Sequence, residues 1–472
     1  MICSLKFSML SSPLFLMMSR KILSNKAIIT IGLLLSIPQV AMAVPSFAVQ
    51  TGQTCQTCHV GGFGPQLTPF GRDFKLRGYT MRVGKSTPPV SAMVVASYTN
   101  TKRDQVSPPA SGFGVNNNFA LDQASVFIAG SIGNHVGGFV QTTYNGIDKT
   151  FTWDNLDLRL VNSGLIGGKN IVYGLTLNNN PTVQDVWNTT AAWGFPYTSS
   201  SLAPTPAAST LVDGALAQNV LGLSAYAWID SKLYLEAGAY GTPSSGTLRW
   251  LGSDPLSPGD IQGLAPYGRI AYQRVLGGGT FELGAFALKA KLWPGRDRST
   301  GFTDNYTDIG ADASWIKTLS TGDTVTFNAR YIHETQSLTA TCALGFADGS
   351  ISGVSLPGCA DSRLNEVRAD ASYYWHNKVG GTVGVFSIDG SQNPTQYAGN
   401  LLLKPNSSGV TLQIDGTPFG DGKSKLGPHA NLRVGAQYTA YTSYNGSRLN
   451  YDGAGSNASD NNTFRIFTWL AF

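Results

Sequence analysis

The sequence predicts an all-β fold, a transmembrane antiparallel β-barrel of about 16 strands over 90–472, with a small helical segment ahead of it at 44–89. Three observations carry this prediction. Apolar and polar residues alternate through successive segments, as they do where a strand shows one face to each side of a sheet. Short turns and long polar loops alternate along the chain, the habit of barrels that cross a membrane. Charged residues make up only 13% of the chain, against roughly 25% in ordinary soluble proteins, and no apolar run after residue 43 is long enough for a spanning helix.

The N-terminus comes first. Residues 1–26 hold Lys6, Arg20, Lys21 and Lys26 and no acid, an apolar run follows from Ala27 to Ile37, and Ala41-Met42-Ala43 is a small-residue cleavage pattern. Segment 1–43 therefore reads as a secretory signal peptide. The formal charge of +5 then overstates the balance, because without those four cations 29 Lys and Arg face 28 Asp and Glu. Nothing in that balance points to nucleic acid. An exported chain rich in Gly and aromatic residues, with no spanning helix, suits the outer membrane and contact with its lipid.

The barrel strands are expected at 90–99, 118–131, 136–145, 152–162, 170–177, 217–229, 231–241, 264–275, 279–290, 306–317, 323–334, 364–376, 380–388, 408–418, 428–443 and 461–472. Their sense is consistent. In 365–376, Val367, Ala369, Ala371, Tyr373 and Trp375 oppose Glu366, Arg368, Asp370 and His376. The last strand sets Phe464, Ile466, Thr468, Leu470 and Phe472 on one face and ends in Phe, like the terminal signal of bacterial outer-membrane barrels. Asp157, Asp308, Asp312, Glu366 and Asp370 fall on the inward face, as lumen lining or as groups that attract cations. The long loop at 178–216, with Asp185, Trp187 and Trp193, is a candidate for a constriction folded into the lumen.

Cysteine usage divides into three. Cys3 leaves with the signal. Cys342 and Cys359 share one Gly/Ser-rich loop and, outside the cytoplasm, are expected to form a disulfide. Cys55-Gln-Thr-Cys58-His59 is the attachment pattern of a c-type haem: two thiols two residues apart bond the macrocycle, and the next His becomes an axial ligand. One covalent haem c is expected, with Cys55 and Cys58 as attachment points and His59 on the iron. A zinc site would need a second ligand pair nearby. Thr68 at the N-cap, Pro69 at the first helical position and Gly78 past the end predict a helix over 69–77, whose Phe70 and Phe74 are expected to cover the haem. For the opposite axial position, five of the seven Met lie in the signal, leaving Met81 as first choice and Met93 as the other; His135, His333, His376, His429 or an open site are the alternatives.

The runs Phe47-Ala-Val-Gln-Thr-Gly52, Cys55-x-x-Cys58-His59, Leu67-Thr-Pro-Phe-Gly-Arg72 and Phe74-Lys-Leu-Arg-Gly-Tyr79 resemble the head of outer-membrane monohaem cytochrome–porin fusions. Segments 179–190, 202–207 and 458–472 carry the resemblance through the later chain. Thr54 departs from the family, where Pro usually precedes the first Cys. The resemblance implies an outer-membrane protein passing electrons from an extracellular donor, as in the Fe(II) oxidases of iron-oxidising bacteria, to a periplasmic c-type cytochrome or similar carrier. The alternatives are a solute porin whose haem segment is a plug or redox sensor, and a haem enzyme with an open iron position. Barrels of this size often associate as homo-oligomers.

Overall fold

A computed structural model describes residues 46–84, 90–190, 192, 196–347, 359–421 and 430–472. The signal segment, Thr87-Pro88-Pro89, Trp193 and His429 lie outside the described residues. The strands are β1 (Val90–Thr101), β2 (Asn118–Ser131), β3 (Val136–Asn145), β4 (Thr150–Ile166), β5 (Lys169–Asn178), β6 (Leu221–Ile229), β7 (Leu233–Gly241), β8 (Asp260–Ile261), β9 (Ala265–Leu276), β10 (Gly279–Trp293), β11 (Asp304–Thr318), β12 (Thr324–Ser337), β13 (Asp361–Trp375), β14 (Val379–Gly390), β15 (Ser407–Gly416), β16 (Asn431–Ser443) and β17 (Thr463–Ala471).

Each strand pairs antiparallel with its neighbours, and β1 pairs with both β2 and β17 (Val94 opposite Ala124 and Leu470), so the sheet closes on itself. The two-residue β8 only extends the pairing at one end of β10, while β7 and β9 pair directly. The barrel wall is therefore a closed cylinder of 16 strands, the expected number. Closure leaves no unpaired edge, which hydrocarbon would penalise heavily. The outer face is apolar: on β17, Phe464, Ile466 and Leu470 point outward at 38–48% exposure while Arg465 points in at 1%. This is a membrane-spanning barrel.

Most strand boundaries fall within three residues of expectation. The clearest difference is β6, which begins at Leu221 rather than 217. Residues 217–220 instead finish the preceding loop, where Gln218 N–H donates to the Asn179 carbonyl (3.0 Å) and Val220 is buried. Periodicity alone does not separate an inserted apolar loop from the strand it joins. The expected bond between Cys342 and Cys359 is formed.

Among the described residues, two pieces of the chain occupy the lumen. The first is the N-terminal segment 46–84. It contacts two short turns, at Asn377 between β13 and β14 and at Gly133 and Asn134 between β2 and β3, and also Gly420 in the longer link between β15 and β16. Short turns face the periplasm in outer-membrane barrels. The second piece is the loop 179–220. At the opposite rim its Pro204 and Thr205 carbonyls accept from the hydroxyls of Tyr441 and Tyr444 (2.7 and 2.6 Å). Deeper in, the Leu211 and Val212 N–H groups donate to Glu334 (2.5 Å) and Asp308 (2.7 Å). It ends against the N-terminal segment, where Lys75 Nζ donates to the carbonyls of Val183 and of Asp185 (2.9 Å). The expected constriction is real, and it runs from one rim to the plug.

The inward acids are engaged by protein groups. Arg269 bonds Asp312 (2.7 Å) and Glu282 (3.1 Å), Arg330 bonds Glu366 (2.5 Å) and Asp213, and Arg159 bonds Asp157 (3.0 Å). Asp308 holds the loop, and Asp370 accepts from Asn328 (3.0 Å). They serve as internal struts, and among the described residues no cluster of His, Cys, Asp and Glu has metal-ligand geometry. Breaking one strut strands a buried charge, so Arg269→Ala should destabilise the barrel by about 3–5 kcal/mol, read as a lower urea midpoint in detergent micelles. Cys342→Ser with Cys359→Ser should cost about 3 kcal/mol for a loop of this length and leave the barrel formed.

Candidate cofactor site

Three short helices build the N-terminal segment: α1 (Ser46–Thr51), α2 (Cys55–Cys58) and α3 (Pro69–Leu76). A single turn at α2 sets Cys55 and Cys58 three apart on one face. His59 ends that turn, its N–H donating to the Cys55 carbonyl (2.8 Å). The chain then doubles back, with Val60 N–H on Gln66 O (3.0 Å) and Thr68 N–H on Cys58 O (2.9 Å). Thr68 caps α3 as expected, accepting from Gly71 N–H (3.2 Å). Gly61 holds a left-handed backbone at φ 67°, and a Cβ there would meet the Tyr374 ring at 2.6 Å. At Gly71 a Cβ would meet the Cys58 carbonyl at 2.3 Å, so α3 can lie against α2 only with glycine at that position.

Barrel groups hold this fold from outside. Asn377 accepts from Gly61 N–H (2.6 Å) and donates to the His59 carbonyl (3.1 Å), and Asn431 donates to the Gly62 carbonyl (2.7 Å). Tyr79 OH donates to Asp157 (2.6 Å), and Tyr226 OH donates to the Leu76 carbonyl (2.7 Å). A segment of this length rarely folds alone. Here the barrel completes it.

Between plug and wall lies a cavity of about 250 Å³. Cys55, Cys58 and His59 all line it, with Phe63 and Phe74 from the plug, Met93, Phe127, Phe139 and Trp469 from the wall, and Asp185 and Asn188 from the inserted loop. Burial pushes both thiols up to about 11, so they stay protonated and poor as ligands for a bare metal ion. Burial, helped by the nearby Arg433 charge, lowers His59 to about 4. The imidazole is thus neutral at physiological pH, the form that binds metal, and its buried Nδ1 has no hydrogen-bond partner among the described residues. Two neutral thiols on one face, a neutral buried imidazole beside them and an aromatic wall are the donor set and surroundings that a covalently attached haem requires, so these residues fit that group.

Other expected site residues separate. Phe74 is buried and lines the cavity. Phe70, one turn earlier, is 39% exposed and does not line it. The i, i+4 pairing places the two rings on one helix stripe, but only the deeper end of α3 faces inward. Met81 is half-buried beside its own carbonyl, which accepts from Gln50 (2.8 Å), and its side chain is not among the lining groups. Met93, on β1, is. His135 bonds the Val161 carbonyl (3.0 Å), His333 bonds Asn365 (2.8 Å), and His376 sits 3.8 Å from Asp323 in a turn; none of the three lines the cavity. Phe127, Phe139 and Trp469 had no signal in the sequence beyond inward strand parity, because each reaches the site only through the barrel's closure, and Asn188 reaches it only through the insertion of its loop.

A second, polar cavity of about 240 Å³ adjoins the first. Asn188 lines both, and Tyr197, Asp213, Asn328, Arg330 and Asp370 complete much of the second wall.

No family model and no curated protein matches the chain. Solved outer-membrane proteins resemble it in architecture. An outer-membrane protein of Vibrio cholerae, OmpT, is 9% identical with a TM-score of 0.41, covering 82% of this chain and 99% of that one. The outer-membrane channel DcaP of Acinetobacter baumannii is 11% identical with a TM-score of 0.44, covering 81% and 96%. Salmonella typhi OmpF, solved with daunomycin, is 14% identical with a TM-score of 0.43, covering 81% and 97%. At these identities the likeness reaches no further than the fold.

Gly71→Val should push α3 off α2 and cost about 1–3 kcal/mol or more. Limited proteolysis would then cut within 46–84 while the barrel stays resistant. Tyr79→Phe should loosen the plug by about 1.5–3 kcal/mol through loss of its bond to the Asp157 carboxylate, seen as faster hydrogen exchange in the same segment.

Proposed function

We propose that this chain is an outer-membrane electron-transfer protein, carrying one covalent haem at Cys55, Cys58 and His59 and passing electrons between an extracellular donor and periplasmic carriers. The observation that carries the reading is the single cavity into which all three residues of the Cys-x-x-Cys-His motif project, enclosed jointly by plug, wall and loop. Bound there, haem would supply a one-electron iron couple whose potential responds to axial ligand and burial.

The chain's own residues set the rest. Cys55 and Cys58 would hold the macrocycle, His59 would offer its imidazole nitrogen to the iron, and Phe63 and Phe74 would exclude water. The cavity sits at the short-turn mouth, within reach of a periplasmic carrier. Hydrocarbon about 30 Å thick separates the two aqueous sides, so access from outside must run through the lumen. Asn188 supports such a route: a small donor in the polar cavity would stand one side chain from the cofactor cavity. A hydrated ion such as Fe(II) meets that size limit, as the resemblance to Fe(II)-oxidising fusions also suggests.

The second reading, a solute porin with a haem-bearing plug, draws on the porin-like barrel and the polar cavity inside it. The lumen-filling loop 179–220 argues for low conductance. Two measurements separate the readings. Intact cells expressing the protein should develop reduced c-type bands on adding a membrane-impermeant reductant or Fe(II), and a His59→Ala control should lack them. Planar bilayers holding the purified protein should pass little current. Bands that need a permeant reductant, together with steady porin-sized conductance, would overturn the electron-transfer reading in favour of the porin.

A further inference from the structure

We propose that Met93 supplies the second axial donor to the haem iron and that Trp469 positions it, so that the iron ties the plug to the barrel wall. This rests on the haem reading above and goes beyond it, because it assigns a ligand from outside the cytochrome-like segment and gives the iron a mechanical role.

At the short-turn mouth β1 and β17 turn Met93, Val95 and Trp469 inward as one apolar cluster with Phe63 of the plug, the cluster that faces the thiols and the imidazole. Met93 is 5% exposed and lines the cavity that holds Cys55, Cys58 and His59. Packing alone would leave its flexible thioether free to choose rotamers. Here it is fixed: Trp469 Nε1–H donates to Met93 Sδ at 3.1 Å. Trp469 is fixed in turn, with Phe63 set edge-on against its ring at 4.8 Å. Gln123 Nε2 also approaches the sulfur, at a long 4.0 Å, a weak contact that would yield the second lone pair to a haem iron in a His/Met pair. Met81 shows none of these features.

His59 belongs to the plug and Met93 to the wall. An iron bonded to both would join two bodies that otherwise meet through hydrogen bonds and packing. Ligation at Met93 should then lower the rate at which the plug opens, and a small neutral competitor such as imidazole should release the plug by displacing the sulfur.

The test uses the full chain matured in cells that attach haem. Covalent haem is first quantified in wild type and in Met93→Ala, Met81→Ala and Trp469→Phe after denaturation. The oxidised near-infrared sulfur-to-iron band and the midpoint potential are then recorded, and proteolysis within 46–84 is timed. Haem-loaded Met93→Ala should lose the band, fall in potential and be cut about tenfold faster, consistent with weaker local closure. Met81→Ala should match wild type. Trp469→Phe should keep the band but shift it and the potential, which a merely structural role for the indole would not do. An unchanged band in haem-loaded Met93→Ala, or its loss in Met81→Ala, overturns the assignment while leaving the haem reading intact. Absence of covalent haem from wild type fells both together.

Discussion

Everything in this molecule depends on the pairing of β1 with both β2 and β17. In hydrocarbon no water is available for an unpaired backbone group, so a sheet that crosses a membrane must close. Closure fixes which side of every strand faces lipid and which faces the lumen. It also creates an enclosed space wide enough for more than side chains, and most of what is specific to this protein lies in that space.

The lumen is filled by the chain itself, in a graded way. At the loop-side rim and through the middle, the loop 179–220 is held by backbone N–H groups on wall carboxylates and by tyrosine hydroxyls on loop carbonyls. At the short-turn mouth the plug is held by asparagines and tyrosines. Between them stand struts of arginine and carboxylate whose desolvation is balanced only because each charge is paired. Apolar clusters interrupt this polar interior where Leu211, Val212, Leu216 and Val220 of the loop and, separately, its Trp187 pack on the wall. A further one, around Met93 and Trp469, is where the thiols, the imidazole and the thioether meet. An apolar pocket within a polar lumen suits a flat, hydrophobic cofactor better than a hydrated solute.

The plug and the barrel are mutually dependent. The plug is too short to bury a core of its own and has glycines where its turns press against one another and against Tyr374. The barrel contributes Met93, Phe127, Phe139 and Trp469 to one side of the cavity. The site is thus shared between a segment that carries a sequence motif and a wall that carries none, and the inserted loop closes it with Asp185 and Asn188.

The sequence by itself determined the class of fold, the strand count, the disulfide, the α3 cap at Thr68 and the closeness of Cys55, Cys58 and His59 to one another. Those features are local: period-two alternation, turn residues, capping residues and a five-residue motif are written within a few positions of one another. The tertiary structure alone decided that 217–220 belong to the loop, that Phe74 but not Phe70 reaches the cavity, that Met93 rather than Met81 lines it, and that the inward acids are internal struts. Each of these depends on which residues meet across a closed cylinder, and neighbours brought together over hundreds of positions by strand register leave no trace in local spacing.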